Sequence, residues 1–253
     1  MSVIKLDGYN LSLEDLIKVS RFNHKVELTE NAVERIKKSR AIVDDLVENE
    51  KVSYGITTGF GKFSDVVISK KDTHKLQINL IRSHACGVGN PLSEEIVRAM
   101  MLLRINALSK GYSGIRLETL QILIDMLNKG VHPIVPEKGS LGSSGDLAPL
   151  SHMVLTMIGE GEAIYKGEKM YSKDALEKAG IKPLEYLSSK EGLSLNNGTQ
   201  CMTAIGAITA YDAINLMKTA DIALGLTMEG LNGITCAMDE RVNLVRPHKG
   251  QFN

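Results

Sequence analysis

Along most of its length, this sequence has the spacing of apolar residues that is typical of amphipathic α-helices. Thr29 is a favoured N-cap residue, and the apolar residues after it recur at helical spacing as far as about Glu48. Ser12 begins a short capping box in the same way. Lys129 and Gly130 follow a further apolar stripe, and this pair is typical of a helix end. The sequence therefore predicts a mainly α-helical fold.

One predicted helix, which begins after Ser93, is apolar on nearly all sides between Ile96 and Leu108. A helix of this kind is buried among other elements. Arg104 and Asn106 lie inside it, and a buried polar side chain is costly unless it finds hydrogen-bond partners. We therefore expect partners for both side chains in the folded chain.

A second apolar tract, from about Gly198 to Gly230, predicts one long core helix in which Gly206 or Gly225 is the place for a bend. Strand signals are few, and only the segment from Gly161 to Met170 has the pattern of a small β-hairpin. The sequence shows no strand–helix alternation and no repeat. The predicted architecture is a mainly α, long-helix bundle with glycine-rich active-site loops and one small β-hairpin.

The charge balance limits the partners of the chain. Its 253 residues include 30 Lys plus Arg and 30 Asp plus Glu, so the net charge is zero. Nucleic acids and anionic membrane surfaces favour a basic excess, and neither is expected as a partner. The cysteines are far apart and no metal-ligand spacing occurs, so no metal site is predicted. The N-terminus lacks the apolar stretch of a signal peptide, and we expect a cytoplasmic protein.

Four segments rich in glycine and polar residues separate the predicted helices, and such loops commonly carry binding and catalytic residues. They span residues 54–62, 83–90, 138–146 and 194–200. None has the spacing of a Walker A phosphate loop. The third does not fit the nucleophile elbow either, because Asp146 stands two residues after Ser144, where that motif requires glycine. The usual cofactor motifs therefore do not account for these loops.

The segment from Gly139 to Leu150 admits three interpretations. It fits a turn that enters a helix capped by Asp146, and it fits an anion site at the N-terminus of that helix. It also fits backbone chemistry, because Gly145 has no Cβ and its amide nitrogen can approach the carbonyl carbon of Ser143 in a tightly bent loop. Ring closure with loss of water, and a further loss of water from Ser144, would leave a conjugated electrophile that needs no external cofactor.

Together with five other motifs, this segment resembles the prosthetic-group loop of the aromatic amino acid ammonia-lyases and aminomutases. Tyr54–Lys62 resembles the tyrosine loop of the family, and Arg82–Gly89 resembles its substrate-selecting segment. Three shorter motifs follow in the expected order, namely Lys110–Gly114, Asn197–Gln200 and Val245–His248. The resemblance covers essentially the whole chain and is strongest to the histidine-specific members.

The resemblance implies a lyase that removes ammonia from L-histidine without oxidation and gives trans-urocanate, the first step of histidine degradation. It implies a 4-methylidene-imidazol-5-one group (MIO) that forms autocatalytically from Ser143, Ser144 and Gly145, with Ser144 as the dehydroalanine carbon. It also implies a homotetramer. An N-terminal helical domain over residues 1–197 would carry the MIO loop, and residues 198–253 would begin a central long-helix domain.

The resemblance assigns roles to four further residues, each with a simpler alternative. Tyr54 would be the base that removes the substrate's β-proton, although a loop tyrosine can also simply pack. Asn197 would orient the electrophile or the substrate amine, or it would cap the long helix. His84 would select the substrate by pairing with its imidazole ring, or it would be structural. Asp146 would shape the loop during cyclisation, or it would only cap its helix.

The sequence departs from the family in two ways. The cyclising triad of the family usually begins with alanine, and Ser143 stands there in this chain. We expect the ring to form nonetheless, because this residue contributes only its carbonyl carbon. Family members are about twice as long, so we expect an N-terminal half that is inactive, or nearly so, alone. The alternatives are a tyrosine or phenylalanine lyase or 2,3-aminomutase, and a non-catalytic piece that needs its second half.

Overall fold

The computed structural model of the chain describes residues 3–53, 55–59 and 70–251, with the side chains of residues 70–72 and 251 excepted. Its α-helices are α1 Leu13–Phe22, α2 Glu30–Glu48, α3 Lys70–His84, α4 Glu94–Ser109, α5 Leu117–Lys129, α6 Leu147–Met157, α7 Ser172–Lys178, α8 Glu191–Asn196, α9 Gln200–Gly230 and α10 Glu240–Leu244. Its strands are β1 Ile4–Leu6, β2 Val26–Leu28, β3 Val88–Pro91, β4 Val131–Pro133, β5 Pro136–Lys138, β6 Glu162–Tyr165 and β7 Glu168–Tyr171. The prediction of a mainly α fold is confirmed.

The helix boundaries follow the capping residues closely. Ser12 accepts a hydrogen bond from the Asp15 amide at the start of α1, and Thr29 accepts one from the Ala32 amide at the start of α2. Gly130 ends α5 in the left-handed region, at φ +76°. Ser93 occupies the N-cap position of α4 without a side-chain hydrogen bond. Among the described residues, no helix combines the length and hydropathy needed to cross a membrane.

The predicted long helix is present as α9, but it begins at Gln200 and its burial differs along its length. Cys201, Ala204 and Ile208 are buried, whereas apolar residues beyond them, such as Leu216 and Leu226, are exposed in this chain. The prediction of a core helix is therefore right only for its first turns. The chain divides into two compact units, Met1–Ile208 and Thr209–Asn253, and the domain boundary after residue 197 stays a prediction.

The predicted hairpin is present, and several other short strands accompany it. β6 and β7 pair antiparallel, with Glu162 opposite Tyr171 and Tyr165 opposite Glu168, and β4 extends this sheet beside β6. β1 and β2 form a parallel pair, and β3 pairs antiparallel with β5. Strands of three or four residues are too short to show an alternation of apolar and polar residues, so these additional strands were not predicted.

Two groups of helices form the core of the first unit. α4 is buried along most of its length and packs against α1, α2 and α5. α6 is the centre of the other group, where it packs against α3 and α8. This second group is the one that matters for the candidate site, because three of the glycine-rich loops adjoin α3, α6 and α8.

A buried histidine links β4 to α4. The guanidinium of Arg98 donates from Nη1 to Nε2 of His132 over 3.0 Å, and His132 is 6% exposed. Burial, and then the charge of Arg98, lowers the pKa of His132 to about 4. The ring is therefore neutral at pH 7, and Glu94 Oε2, at 3.6 Å from Nδ1, is not an ion-pair partner of it there.

We expect the chain to lose stability on acidification because of His132. Its pKa is lower in the folded chain than its ordinary value of 6.5, so the unfolded chain takes up the proton first as the pH falls. The contribution of His132 to the free energy of unfolding is complete above pH 6.5. It is lost progressively between pH 6.5 and 4, and the total loss is about 3 kcal/mol. Urea unfolding over this range measures it. The control H132Q keeps an acceptor for Arg98 without titrating, and an equal loss in H132Q contradicts the prediction.

Candidate active site

The segment that carries the predicted cyclising triad runs between β5 and α6. Ser143 and Ser144 are exposed, and Gly145 is half-buried. Gly142 and Gly145 both have positive φ, at +80° and +114°, which residues other than glycine rarely adopt. The backbone is therefore sharply bent on both sides of the two serines.

Gly145 lies directly against the turn that precedes α9. A Cβ added to Gly145 would overlap the carbonyl oxygen of Gly198, and the Asp146 amide donates to this same oxygen over 2.6 Å. The absence of a side chain at position 145 is thus required by a backbone neighbour, not only by the value of φ. The triad segment and the Asn197–Gln200 motif, which the sequence singled out separately, are in contact.

The side chain of Asp146 does not cap its own helix, which was the simpler alternative for this residue. It occupies the N-cap position of α6, but its side chain makes no capping bond there. The buried carboxylate instead accepts from the Met202 amide over 2.8 Å and from the Ser140 hydroxyl over 2.8 Å. Asp146 therefore closes the bent segment on itself through Ser140, and satisfies an amide in the first turn of α9.

The other side of the segment packs on the predicted substrate-selecting motif. A Cβ added to Gly139 would lie 3.0 Å from the Cα of Gly87, and β5, just before Gly139, pairs with β3, just after Gly87. The Gly87 amide donates to Nε2 of His152 on α6 over 3.0 Å. Burial lowers the pKa of His152, which favours the neutral ring that can accept this bond.

His84 ends α3, three residues before Gly87. Its Nδ1 lies 2.8 Å from the carbonyl oxygen of Leu80 and 3.1 Å from the hydroxyl of Ser83. A carbonyl oxygen can only accept, so Nδ1 carries the proton in the neutral ring. Nε2 is then the acceptor nitrogen of His84. The role of this residue in substrate selection stays a prediction.

Asn197 is not the N-cap of the long helix, which was the simpler alternative for it. It is the C-cap of α8, and Thr199 is the residue before α9. The carbonyl oxygen of Asn197 accepts from Nη1 of Arg104 over 3.1 Å, and its side chain is exposed. The side-chain amide is therefore accessible at the turn that contacts Gly145.

Tyr54 lies outside the described residues, so its predicted role as a base stays a prediction. Its neighbours form a turn in which the Ser53 amide donates to the Thr57 hydroxyl over 2.9 Å and the Gly55 amide donates to the Thr58 hydroxyl over 3.3 Å. Ile56 lines a pocket of about 440 Å³ together with Tyr112.

The Lys110–Gly114 motif is explained by close packing on α2. A Cβ added to Gly111 would lie 2.5 Å from the Cβ of Arg35, and one added to Gly114 would overlap Val43. Ser113 accepts at its carbonyl oxygen from the Ser194 hydroxyl over 2.7 Å. The two glycines therefore let the loop approach α2, and the Ser113 carbonyl joins it to α8.

The residues present fit the prosthetic group that the sequence predicts. The bend at Gly145 leaves no room for a Cβ, and the two serines before it are exposed. Ser143 to Gly145 would hold the group as part of the backbone, and Asp146 and Gly198 would hold its Gly145 end in place. Among the described residues, no group of three or more His, Cys, Asp or Glu side chains is arranged to hold a metal ion.

Sequence reasoning missed two contacts of the site. The acceptor role of His152 has no signal in a single sequence, because Gly87 precedes it by 65 positions. The bond between Asp146 and Met202 spans 56 positions, and the adjacent helix start offered a nearer target for the carboxylate. Arg104 was identified as needing partners, and it donates to carbonyl groups at the end of α8 and to the side chain of Gln200. The same expectation was wrong for Oδ1 of Asn106, which is buried without a hydrogen-bond partner among the described residues.

Comparison with known proteins gives a consistent result. The histidine ammonia-lyase of Alkaliphilus oremlandii is 66% identical over 253 residues, which is 100% of this chain and 50% of that protein. The histidine ammonia-lyase of Caldanaerobacter subterraneus subsp. tengcongensis is 60% identical over 252 residues, 100% of this chain and 49% of that protein. The chain spans about half the length of the curated relatives it matches.

Solved structures share the fold over the same extent. Histidine ammonia-lyase from Trypanosoma cruzi superposes with a TM-score of 0.92 at 39% identity, and the match covers 98% of this chain and 49% of that one. The ergothioneine-degrading enzyme ergothionase from Treponema denticola superposes with a TM-score of 0.90 at 38% identity, over 98% and 50%. Residues 11–253 also match the sequence profile of the family described as aromatic amino acid lyase. The resemblance found in the sequence is confirmed: the chain belongs to the aromatic amino acid lyase family.

Proposed function

We propose that this chain provides the electrophile-bearing half of an ammonia-lyase that converts L-histidine to trans-urocanate and ammonia. In this elimination the bond from Cα to the amine nitrogen and one β C–H bond break, and a Cα=Cβ double bond forms. The observation that carries the proposal is the placement of Gly145 against Gly198 and of Gly139 against Gly87, with Ser143 and Ser144 exposed between these contacts. Identities of 60–66% to histidine ammonia-lyases support the choice of reaction.

The prosthetic group, once formed from Ser143, Ser144 and Gly145, supplies an electrophilic methylidene carbon that converts the substrate's poor leaving group into a good one. The chain's own residues prepare it. The positive φ of Gly145 and the bond from the Asp146 amide to Gly198 hold the backbone bent directly after the two serines, and ring closure would bring the Gly145 nitrogen onto the Ser143 carbonyl carbon. Asp146 keeps this bend closed through Ser140.

The remaining roles concern the substrate. Tyr54 would remove the β-proton, and a tyrosine, with an ordinary pKa of about 10, needs nearby positive charge to do so at neutral pH. The exposed side chain of Asn197 would hold the substrate amine beside the electrophile. His84, with Nδ1 bonded to Leu80, would offer Nε2 as an acceptor to the N–H of the substrate's imidazole ring.

A homotetramer and a cytoplasmic location belong to the same proposal. They rest on the resemblance to the family alone. L-Histidine is the proposed small-molecule partner, and MIO formed from the chain itself is the proposed prosthetic group. An external cofactor is not part of the proposal.

The test of the electrophile is the intact mass of the purified chain. We expect a deficit of two water molecules, located by peptide mapping to the fragment that holds Ser143, Ser144 and Gly145. The first water takes its oxygen from the Ser143 carbonyl, and the second takes the Ser144 hydroxyl. A full mass in well-folded protein contradicts the proposal at its first step.

The test of the substrate needs the rest of the length that relatives have. We expect no measurable turnover by the 253-residue chain alone, and turnover of L-histidine when it is co-purified with the second half of the Alkaliphilus oremlandii relative. Ultraviolet absorbance follows urocanate, with L-phenylalanine and L-tyrosine as competing substrates. Preference for either of these, or formation of a β-amino acid, contradicts the choice of histidine and favours the other lyase and aminomutase activities.

A further inference from the structure

Arg104 is a buried cation in an unusual setting. It lies on α4 and is 4% exposed. None of the described carboxylates forms an ion pair with its guanidinium, and burial is the one influence on its pKa. A charge buried without a counter-ion is costly, so its hydrogen-bond partners must matter to the fold. Burial lowers the pKa of Arg104 to about 10, so the side chain is still charged at neutral pH.

The partners of Arg104 all belong to the end of α8 and the turn after it. Nη1 donates to the carbonyl oxygen of Asn197 over 3.1 Å and to Oε1 of Gln200 over 2.8 Å, and Nη2 donates to the carbonyl oxygen of Ser194. The last carbonyl groups of a helix have no partners within it and carry partial negative charge. The planar guanidinium therefore holds both ends of the Asn197–Gln200 turn at once.

The same turn is the surface on which the triad segment rests. Gly198 is flanked on one side by Arg104, since an added Cβ there would overlap Nη1. On its other side the Gly198 carbonyl oxygen accepts from the Asp146 amide, and Gly145 packs on it. Arg104 therefore contacts Gly198, and Gly198 contacts Gly145. These contacts connect the buried α4 with Gly145, whose nitrogen has to attack the Ser143 carbonyl carbon.

We propose that Arg104 is a positioning residue for formation of the prosthetic group, which it serves by locking the Asn197–Gln200 turn and, through Gly198, the bend at Gly145. This inference rests on the proposed function. The step it serves is balanced within the chain. The Gly145 nitrogen bonds to the Ser143 carbonyl carbon, and that oxygen leaves as water with the amide protons of Gly145 and Ser144. The Ser144 hydroxyl then leaves as water with its Cα proton.

The chain offers a matched control on the same helix. Arg98 is also buried on α4, 2% exposed, and donates to carbonyl oxygens of Val19 and Leu127 at the ends of α1 and α5. Its partners do not touch the triad segment. If the role of Arg104 is merely structural, R104M and R98M lose stability alike and form the prosthetic group to the same extent. If Arg104 is a positioning residue, only R104M forms less of the group.

The experiment compares the wild-type chain with R104M, R104K and R98M. Intact mass gives the fraction that has lost two water molecules, and circular dichroism gives helix content and Tm. At equal helix content, we expect conversion to fall at least about tenfold in R104M, equivalent to about 1.4 kcal/mol in the barrier. R104K keeps the charge but not the planar guanidinium with its two donor nitrogens, and we expect its conversion to lie between those of R104M and wild type. We expect R98M to convert fully.

The outcomes separate this inference from the proposed function. If wild type and R104M both convert fully, the inference is overturned and the proposed function stands. If R98M loses conversion as strongly as R104M does, the effect is one of general stability and the inference is overturned. A wild-type chain that keeps its full mass overturns the proposed function, and the inference with it. If R104M does not fold, R104K tests the inference instead. Full conversion by folded R104K overturns it, because lysine cannot hold the turn with two donor nitrogens as the guanidinium does.

Discussion

Replacement of Gly145 with alanine is expected to slow the loss of water from the triad segment strongly. The new Cβ would meet two obstacles, the backbone φ of +114° and the carbonyl oxygen of Gly198. A backbone oxygen cannot move aside as the end of a flexible side chain can. With a strain of about 3 kcal/mol in the bent conformation, conversion slows by at least about 100-fold. The measurement is the intact mass of G145A after prolonged incubation.

Gly142 provides the control for this substitution. It has a positive φ of +80° in the same segment, but an added Cβ there would have no neighbour within 4 Å. G142A therefore introduces conformational strain of about 1–2 kcal/mol without a collision. We expect its conversion to slow by about 5- to 30-fold, which is less than the loss expected for G145A. Equal losses in G142A and G145A would show that flexibility of the segment, and not its contact with Gly198, governs ring closure.

Much of the fold was predictable from the sequence because its determinants are local. A capping serine or threonine acts on an amide two or three residues away, and Gly130 ends its helix through its own φ. These signals lie within one window of sequence. The short strands were not predictable, since β1 and β2 pair across a helix and contain three residues each.

In the candidate site, too, local features were predictable from the sequence, whereas contacts between distant residues were not. The motifs identified Gly87, Gly145 and Gly198 as members of glycine-rich loops, but not that the first packs beside Gly139 or that the last two are in contact. Asp146 shows why. Its carboxylate lies at the start of α6, where local reasoning makes it a cap, yet it accepts from an amide of α9 that tertiary packing brings closer. Contacts of this kind depend on the whole fold, and only the resemblance to a family hinted at them.

The adjacent serines are expected to give opposite results, which makes them a sharp test of the proposed chemistry. Both are exposed, both carry a hydroxyl, and they differ only in position within the triad. Ser144→Ala removes the hydroxyl that must leave as the second water, so this variant can lose at most one water molecule. Ser143→Ala restores the alanine that the family usually has there, and the residue contributes only its carbonyl carbon. We therefore expect S143A to lose both water molecules, as the wild-type chain does.

The same pair extends to activity in the complemented protein. A site without the methylidene carbon keeps its binding groups but lacks the electrophile, so we expect S144A to lower turnover of L-histidine by at least about 10³-fold. S143A is expected to stay within about tenfold of wild type, because its change is confined to a side chain outside the ring. Loss of turnover in both variants would point to a role for the two hydroxyls other than ring formation. Equal turnover in all three proteins would mean that the reaction proceeds without the electrophile, since Ser144 is the one residue of the triad whose side chain the chemistry consumes.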